Sequence, residues 1–190
     1  MTAHEFEDFG QQIADASEAF LLGLQAVSRE EGAGSAVPIL LLEVSQLLLA
    51  GARLGAQQDF QPTTEYQPDV GPDADLDAMR LRLAVTLGGL DTYSHNFEPY
   101  DPESVTSNLS DDLTSIATDV ANGLRHFRAG NIEEALWWWQ YSYLASWGSL
   151  AIGVLSALHS VVAHDRLDLE VVDESDQLEA ADAVLDGVQP

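Results

Sequence analysis

Apolar residues recur along this chain at steps of three and four, the spacing of one face of a helix. Phe6, Phe9, Ile13, Ala16, Phe20, Leu24 and Val27 form the first stripe and predict a helix over about residues 4–29, ended by Gly32 and Gly34. A second helix is expected over about 36–57, with Ser35 placed to cap it and Pro38 in its first turn. It is apolar nearly all round, the mark of a helix buried in a bundle. Pro62, Pro68, Gly71 and Pro72 break regular structure over 58–73. Leu76, Met79, Leu83, Leu87 and Leu90 mark a third helix, about 74–90, and 91–107, with Pro99 and Pro102, reads as irregular. No run alternates with period two for long enough to predict a strand.

The pattern is clearest over 110–163. Ser110 can cap a helix whose core face is Leu113, Ile116, Val120, Leu124 and Phe127. Gly130 suits the left-handed position after it, and Arg125, His126 and Arg128 sit where cations complement the helix dipole. Asn131 with Glu134 reads as a capping-box variant opening a fifth helix, so the segment is expected to be a helical hairpin with a tight turn.

The fifth helix carries two apolar faces. One is Ala135, Trp139, Tyr143, Leu150, Val154, Ala157 and Val161; the other is Trp137, Tyr141, Leu144, Gly148, Ala151 and Leu155. Between them runs a stripe of small residues: Ser142, Ser146, Ser149, Gly153, Ser156 and Ser160. Such a helix is expected at the centre of its bundle, its second face an internal seam. Three consecutive Trp residues sweep roughly 200° of a helix, so one of them must face elsewhere. Trp137 or Trp138 is expected exposed at the edge of the seam, beside the 91–101 loop.

From Asp165 onward there are nine acids and one Arg, the composition of a solvated tail that buries no core. The fold class is therefore all-α: a single-domain bundle of about five helices over 1–164 with a long C-terminal helical hairpin, then a disordered acidic tail, 165–190.

Charge narrows the functional classes. Among 190 residues, 32 acids stand against seven basic residues, all Arg, for a net charge of −25. Nucleic acid, which is gripped through Lys and Arg contacts to phosphate, is not an expected partner. An anionic membrane surface is disfavoured for the same reason. Absence of Cys removes disulfides, cysteine zinc sites and thiol catalysis. Residues 37–56 and 135–163 are apolar enough to be weighed as membrane spans. Glu43, Gln46 and Arg53 in the first, and Gln140, His159 and acidic flanks in the second, argue against crossing. Residues 1–12, with His4, Glu5, Glu7 and Asp8, carry no targeting signal. A cytoplasmic monomer or homodimer is the expectation.

The run from Phe127 through Gly130 and Asn131 to Leu136 resembles the inter-helix turn of a tetratricopeptide repeat, but no second copy follows at the ~34-residue period. A second resemblance covers 109–159. Leu109-Ser-Asp-Asp-Leu113, Gly123-Leu124, Ala129-Gly130 leading to Glu134-Ala-Leu-Trp137, then Trp139, Trp147-Gly148 and Ala157-Leu-His159 resemble the uncharacterised bacterial family called domain of unknown function 5063. This resemblance implies an all-helical fold and no assigned activity. Where the family pattern has a His before the Trp-Gly pair, this chain has Ser146, which argues against imidazole chemistry there.

Two clusters carry candidate chemistry. The loop holding Asp91, Tyr93, His95, Glu98, Tyr100 and Asp101 could offer two carboxylates and one imidazole to an oxygen-preferring metal. Loop spacing does not fix ligand geometry, and the five His residues follow no ligand-spacing motif, so no metal and no cofactor are expected. Arg125, His126 and Arg128 precede the Trp run and could hold an anionic small molecule against an aromatic wall. The resulting candidate binding set is Tyr93, His95, Glu98, Tyr100, Arg125, Arg128, Trp137 and Trp138, in a cleft between the loop and the start of the last helix. No catalytic residue is assigned. The expected function is a non-catalytic acidic interaction or adaptor protein with a basic protein partner; the alternative is a small-molecule binder or enzyme using that cleft.

Overall fold

A computed structural model describes residues 3–30, 32–62, 70–72, 74–96, 100 and 103–167. Among them the helices are α1 (Ala3–Val27), α2 (Ala33–Gly55), α3 (Asp77–Leu87), α4 (Leu109–Arg128) and a last helix in two parts, α5 (Ile132–Ser142) and α6 (Gly148–Leu167). Two strands, β1 (Thr92–His95) and β2 (Val105–Asn108), separate α3 from α4. The fold class is the one expected, an all-α bundle. Glu98, Asp101 and residues 168–190, which hold most of the acidic tail, lie outside the described residues.

Helix α1 buries Phe9, Ile13, Phe20, Leu24 and Val27, five of the seven positions in its apolar stripe. It packs antiparallel on α2, tied at the far end by Arg53, which donates to Gln12 at 2.5 Å and lies over the Phe9 ring. The start of α2 differs from expectation. Gly32, at φ 110°, takes the N-cap position, and the Ser35 hydroxyl donates instead to Glu30. Nor is α2 buried all round: Leu40, Val44, Leu47, Gly51 and Leu54 face inward, while Leu42 and Leu49 are exposed.

The hairpin is the second departure. Strands β1 and β2 pair antiparallel, with Tyr93 opposite Ser107 and His95 opposite Val105. Four residues are too few for an alternating pattern to stand out. Side chains reinforce the pairing, as where the Thr92 hydroxyl donates to the Asn108 side-chain oxygen at 3.2 Å.

The third is the last helix. Tyr143–Trp147 is a π-turn, which inserts one extra residue into the helix. Continuing Ala135, Trp139 and Ser142 at helical spacing would bury Ser146, Leu150, Gly153 and Ala157. The core-facing side chains actually buried are Trp147, Ala151, Val154 and Leu158, each one residue later, while Gly153 is buried separately beneath β1. The π-turn therefore rotates the second half of the helix, and the expected internal seam forms only after it: Gly148 and Ala151 are buried, while Tyr141 and Leu144 are 55% and 65% exposed. The expected capping box is also absent, since the Asn131 side chain caps nothing and Glu134 is buried. Gly130 does take the left-handed conformation, φ 83°, that turns α4 into α5.

Candidate functional site

The richest polar cluster gathers where α4 begins. Asp91, just ahead of β1, caps α4 from outside the helix: one carboxylate oxygen accepts the Ser110 N–H at 2.8 Å and the other the Ser110 hydroxyl at 2.9 Å. Its carbonyl accepts the Leu109 N–H at 2.7 Å. One turn in, Asp112 is buried and accepts the hydroxyls of Tyr93 at 2.7 Å and Ser107 at 2.6 Å. A carboxylate in the first turn is also favoured by the helix dipole. Asp111 faces outward and takes Arg80 of α3 at 3.1 Å. Burial, and then the Asp112 carboxylate, push the Tyr93 phenol well above its usual range, so it stays a protonated donor.

His95 stacks beside Tyr93, ring centroids 5.0 Å apart, and both lie over Gly153 of α6. A Cβ on that glycine would sit 2.4 Å from His95 Nδ1 and 3.1 Å from the Tyr93 oxygen. Gly153 thus admits the hairpin, and Ser156 and Ser160 continue the floor of an open groove of about 480 Å³, with Thr92 and Ser94 on its β1 side. The small-residue stripe read from the sequence serves this close approach.

The other candidate residues are elsewhere. Trp138 donates its indole N–H to the Asp119 carbonyl at 2.8 Å, and Trp139, fully buried, donates to Val120 at 3.0 Å. Trp139 lies flat on Gly123, where a Cβ would come within 2.5 Å of the indole. Trp137 stacks on Tyr141 at 5.4 Å, their planes 7° apart, lining a shallow recess of about 230 Å³ with Phe60 and Gln140. From Trp138 to Gly153 is fifteen residues, roughly 20 Å of helix. The expected cleft between the 91–101 loop and the Trp run is therefore not formed by the described residues. Tyr100 is 96% exposed. Arg125 donates to the Pro72 carbonyl and Arg128 to Glu18 of α1 at 2.8 Å, so both serve as internal ties. Of the metal candidates, Asp91 is engaged by Ser110 through both oxygens, Glu98 and Asp101 lie outside the described residues, and no trio of His, Asp or Glu among the described residues could hold a metal.

Sequence reasoning missed two central residues. Asp112 falls on the same apolar stripe as Leu109, Leu113 and Ile116, and an acid on a buried stripe must find donors. Gln140 is buried in the uncharged stretch that follows Glu134. Its side chain accepts the Phe60 N–H at 2.9 Å and donates to the Leu54 carbonyl at 2.9 Å, pinning the end of α2 to α5.

Three groups remain imperfectly satisfied among the described residues: Glu43 Oε2, His126 Nδ1 and Trp147 Nε1 have no hydrogen-bond partner. Burial raises the Glu43 carboxyl above its usual value. Burial also lowers His126, opposed by the nearby Glu134 carboxylate, so the imidazole is held neutral.

No curated protein matches this chain. The crystal structure of protein BF1032 from Bacteroides fragilis superposes with a TM-score of 0.65 at 19% identity, covering 79% of this chain and 89% of that one, a likeness of fold. The sequence match is to a family rather than to any one protein: over residues 4–164, the chain belongs to the family described as Domain of unknown function (DUF5063).

Proposed function

We propose that this chain is a cytoplasmic, non-catalytic interaction protein whose acidic surface recruits a basic protein partner. The observation that carries this reading is how the few cations are used. Of seven Arg residues, Arg53, Arg80, Arg125 and Arg128 are tied to Gln12, to Asp77 and Asp111, to the Pro72 carbonyl and to Glu18. With 32 acids in the chain, the unbalanced charge is negative. Such a field accelerates encounter with an oppositely charged partner and repels nucleic acid. Support for a non-catalytic role comes from the start of α4, where Tyr93 and Ser107 are bonded to Asp112, and Asp91 to Ser110, and so hold the hairpin on the helix. The test is capture of partners by the immobilised full chain at 0.05 M and 0.5 M salt. Basic proteins retained only at low salt are expected; a partner set that is acidic or indifferent to salt would contradict the reading.

A further inference from the structure

One part of this acidic molecule carries no charge. On the outer side of α2, Pro38, Leu42, Ser45, Leu49 and Ala52 lie on one exposed line. Glu43 turns away from it toward Gly23 of α1, and Arg53 is drawn to Gln12. The neighbouring last helix has no charged residue between Glu134 and Asp165, and exposes Ala145, Ser149, Ile152 and Ser156. The two helices are packed side by side: the Tyr143 and Trp147 rings lie over Gly51, and Leu144 reaches Gly55. Leu49 is 64% exposed and Ile152 59%. By length and composition either helix could cross a membrane, yet here they form one side of a bundle.

We propose that this outer α2–α6 face is where a second copy of the chain docks. Charge selects the occupant. A basic partner is drawn to the acidic surface, whereas a body that itself carries −25 can approach closely only where neither copy presents a carboxylate. Across a contact made on this face, the remaining acids are screened over about 8 Å at physiological salt. A membrane is a poorer fit, because 32 acids against seven Arg repel anionic headgroups.

Size sets the strength. The line from Pro38 to Ala52 is about 21 Å long, and two helices side by side are about 20 Å wide. That gives roughly 400 Å² per copy and 800 Å² for the pair, the size of a weak, reversible interface. The relief is self-complementary. Leu42 and Leu49 project at a seven-residue interval on α2, and the small residues Ser149 and Ser156 repeat at the same interval on α6. A two-fold axis sets each pair of leucines of one copy over the pair of serines of the other, twice.

The test is sedimentation of the full chain at 0.05 M and 0.5 M salt, with Leu49→Glu and Ile152→Glu beside it. A dimer is expected that tightens about tenfold with salt, since screening relieves repulsion between the copies. Each variant should sediment as a monomer with unchanged circular dichroism. If either variant loses its fold, Ser45→Glu and Ser149→Glu, at exposed polar positions, carry the same test. A wild-type monomer at high concentration in both salts would overturn the proposal while leaving the basic-partner reading intact. A dimer that survives all the Glu variants would also overturn it, as would a monomer that floats with phosphatidylcholine vesicles unless Leu49 is changed. A dimer that weakens with salt would show acid–base contacts and overturn it too.

Discussion

The start of α4 and the outer face of α2 and α6 treat polar and apolar residues in opposite ways. At the first, two aspartates are enclosed by Tyr93, Ser107 and Ser110, a third meets Arg80, and β1 and β2 are fastened to the helix through them. At the second, leucines and an isoleucine stand in solvent among serines and alanines, with no charge between them. Residues that look chemical are fasteners here, and residues that look like core are on the surface.

Breaking the fastener should produce the largest effect. Asp112→Ala removes an acceptor shared by two hydroxyls and leaves both part-buried, which should cost about 3–5 kcal/mol by urea unfolding. A loss below about 1 kcal/mol would mean that the lock contributes little. Gln140→Ala is next, at about 2–3 kcal/mol, because the Phe60 N–H and the Leu54 carbonyl lose a buried partner. Hydrogen exchange localised to residues 54–60 should report it.

Much of this was legible in the sequence. Helical periodicity placed α1, α3 and α4, and Gly130 marked the turn into α5. The π-turn at Tyr143–Trp147 was not legible, because a one-residue insertion leaves a helix helical while rotating everything after it. The rotation brings Gly148 and Ala151 inside, while Tyr141 and Leu144, which precede its effect, stay exposed. The hairpin was hidden because Thr92–His95 and Val105–Asn108 are short and polar, and their docking rests on Asp112, nineteen residues from Tyr93: a tertiary contact that local propensity does not encode. The candidate cleft failed for the same reason, since spacing gave no distance between loop and helix.

Titration sharpens the contrast through groups that belong to neither region. The folded pKa of His126 lies below its unfolded value, so the neutral form's stability is fully present above about pH 6.5 and is lost as the pH falls toward the folded value. The Tm should drop across that window, and His126→Phe should flatten the slope. Glu43 behaves in the opposite sense. Its folded pKa is raised, so its cost is present at neutral pH and disappears as the pH falls through the folded value toward 4.5. Glu43→Gln should therefore raise the Tm at pH 7, with the gain over wild type closing in acid. An unchanged Tm at both pH values would show that the carboxylate is adequately solvated. Smallest of all should be Leu49→Ser on the outer face, within about 0.5 kcal/mol, because an exposed leucine contributes little to the fold of one copy.

The central claim is that the polar cluster builds the molecule and the uncharged face joins it to another. Hydrogen–deuterium exchange of the full chain, dilute and concentrated, tests this most directly. Added protection is predicted at 38–52 and 145–159 on concentration, with none at 91–112. Protection that is independent of concentration on α2 and α6, or that increases at the hairpin instead, would contradict the account.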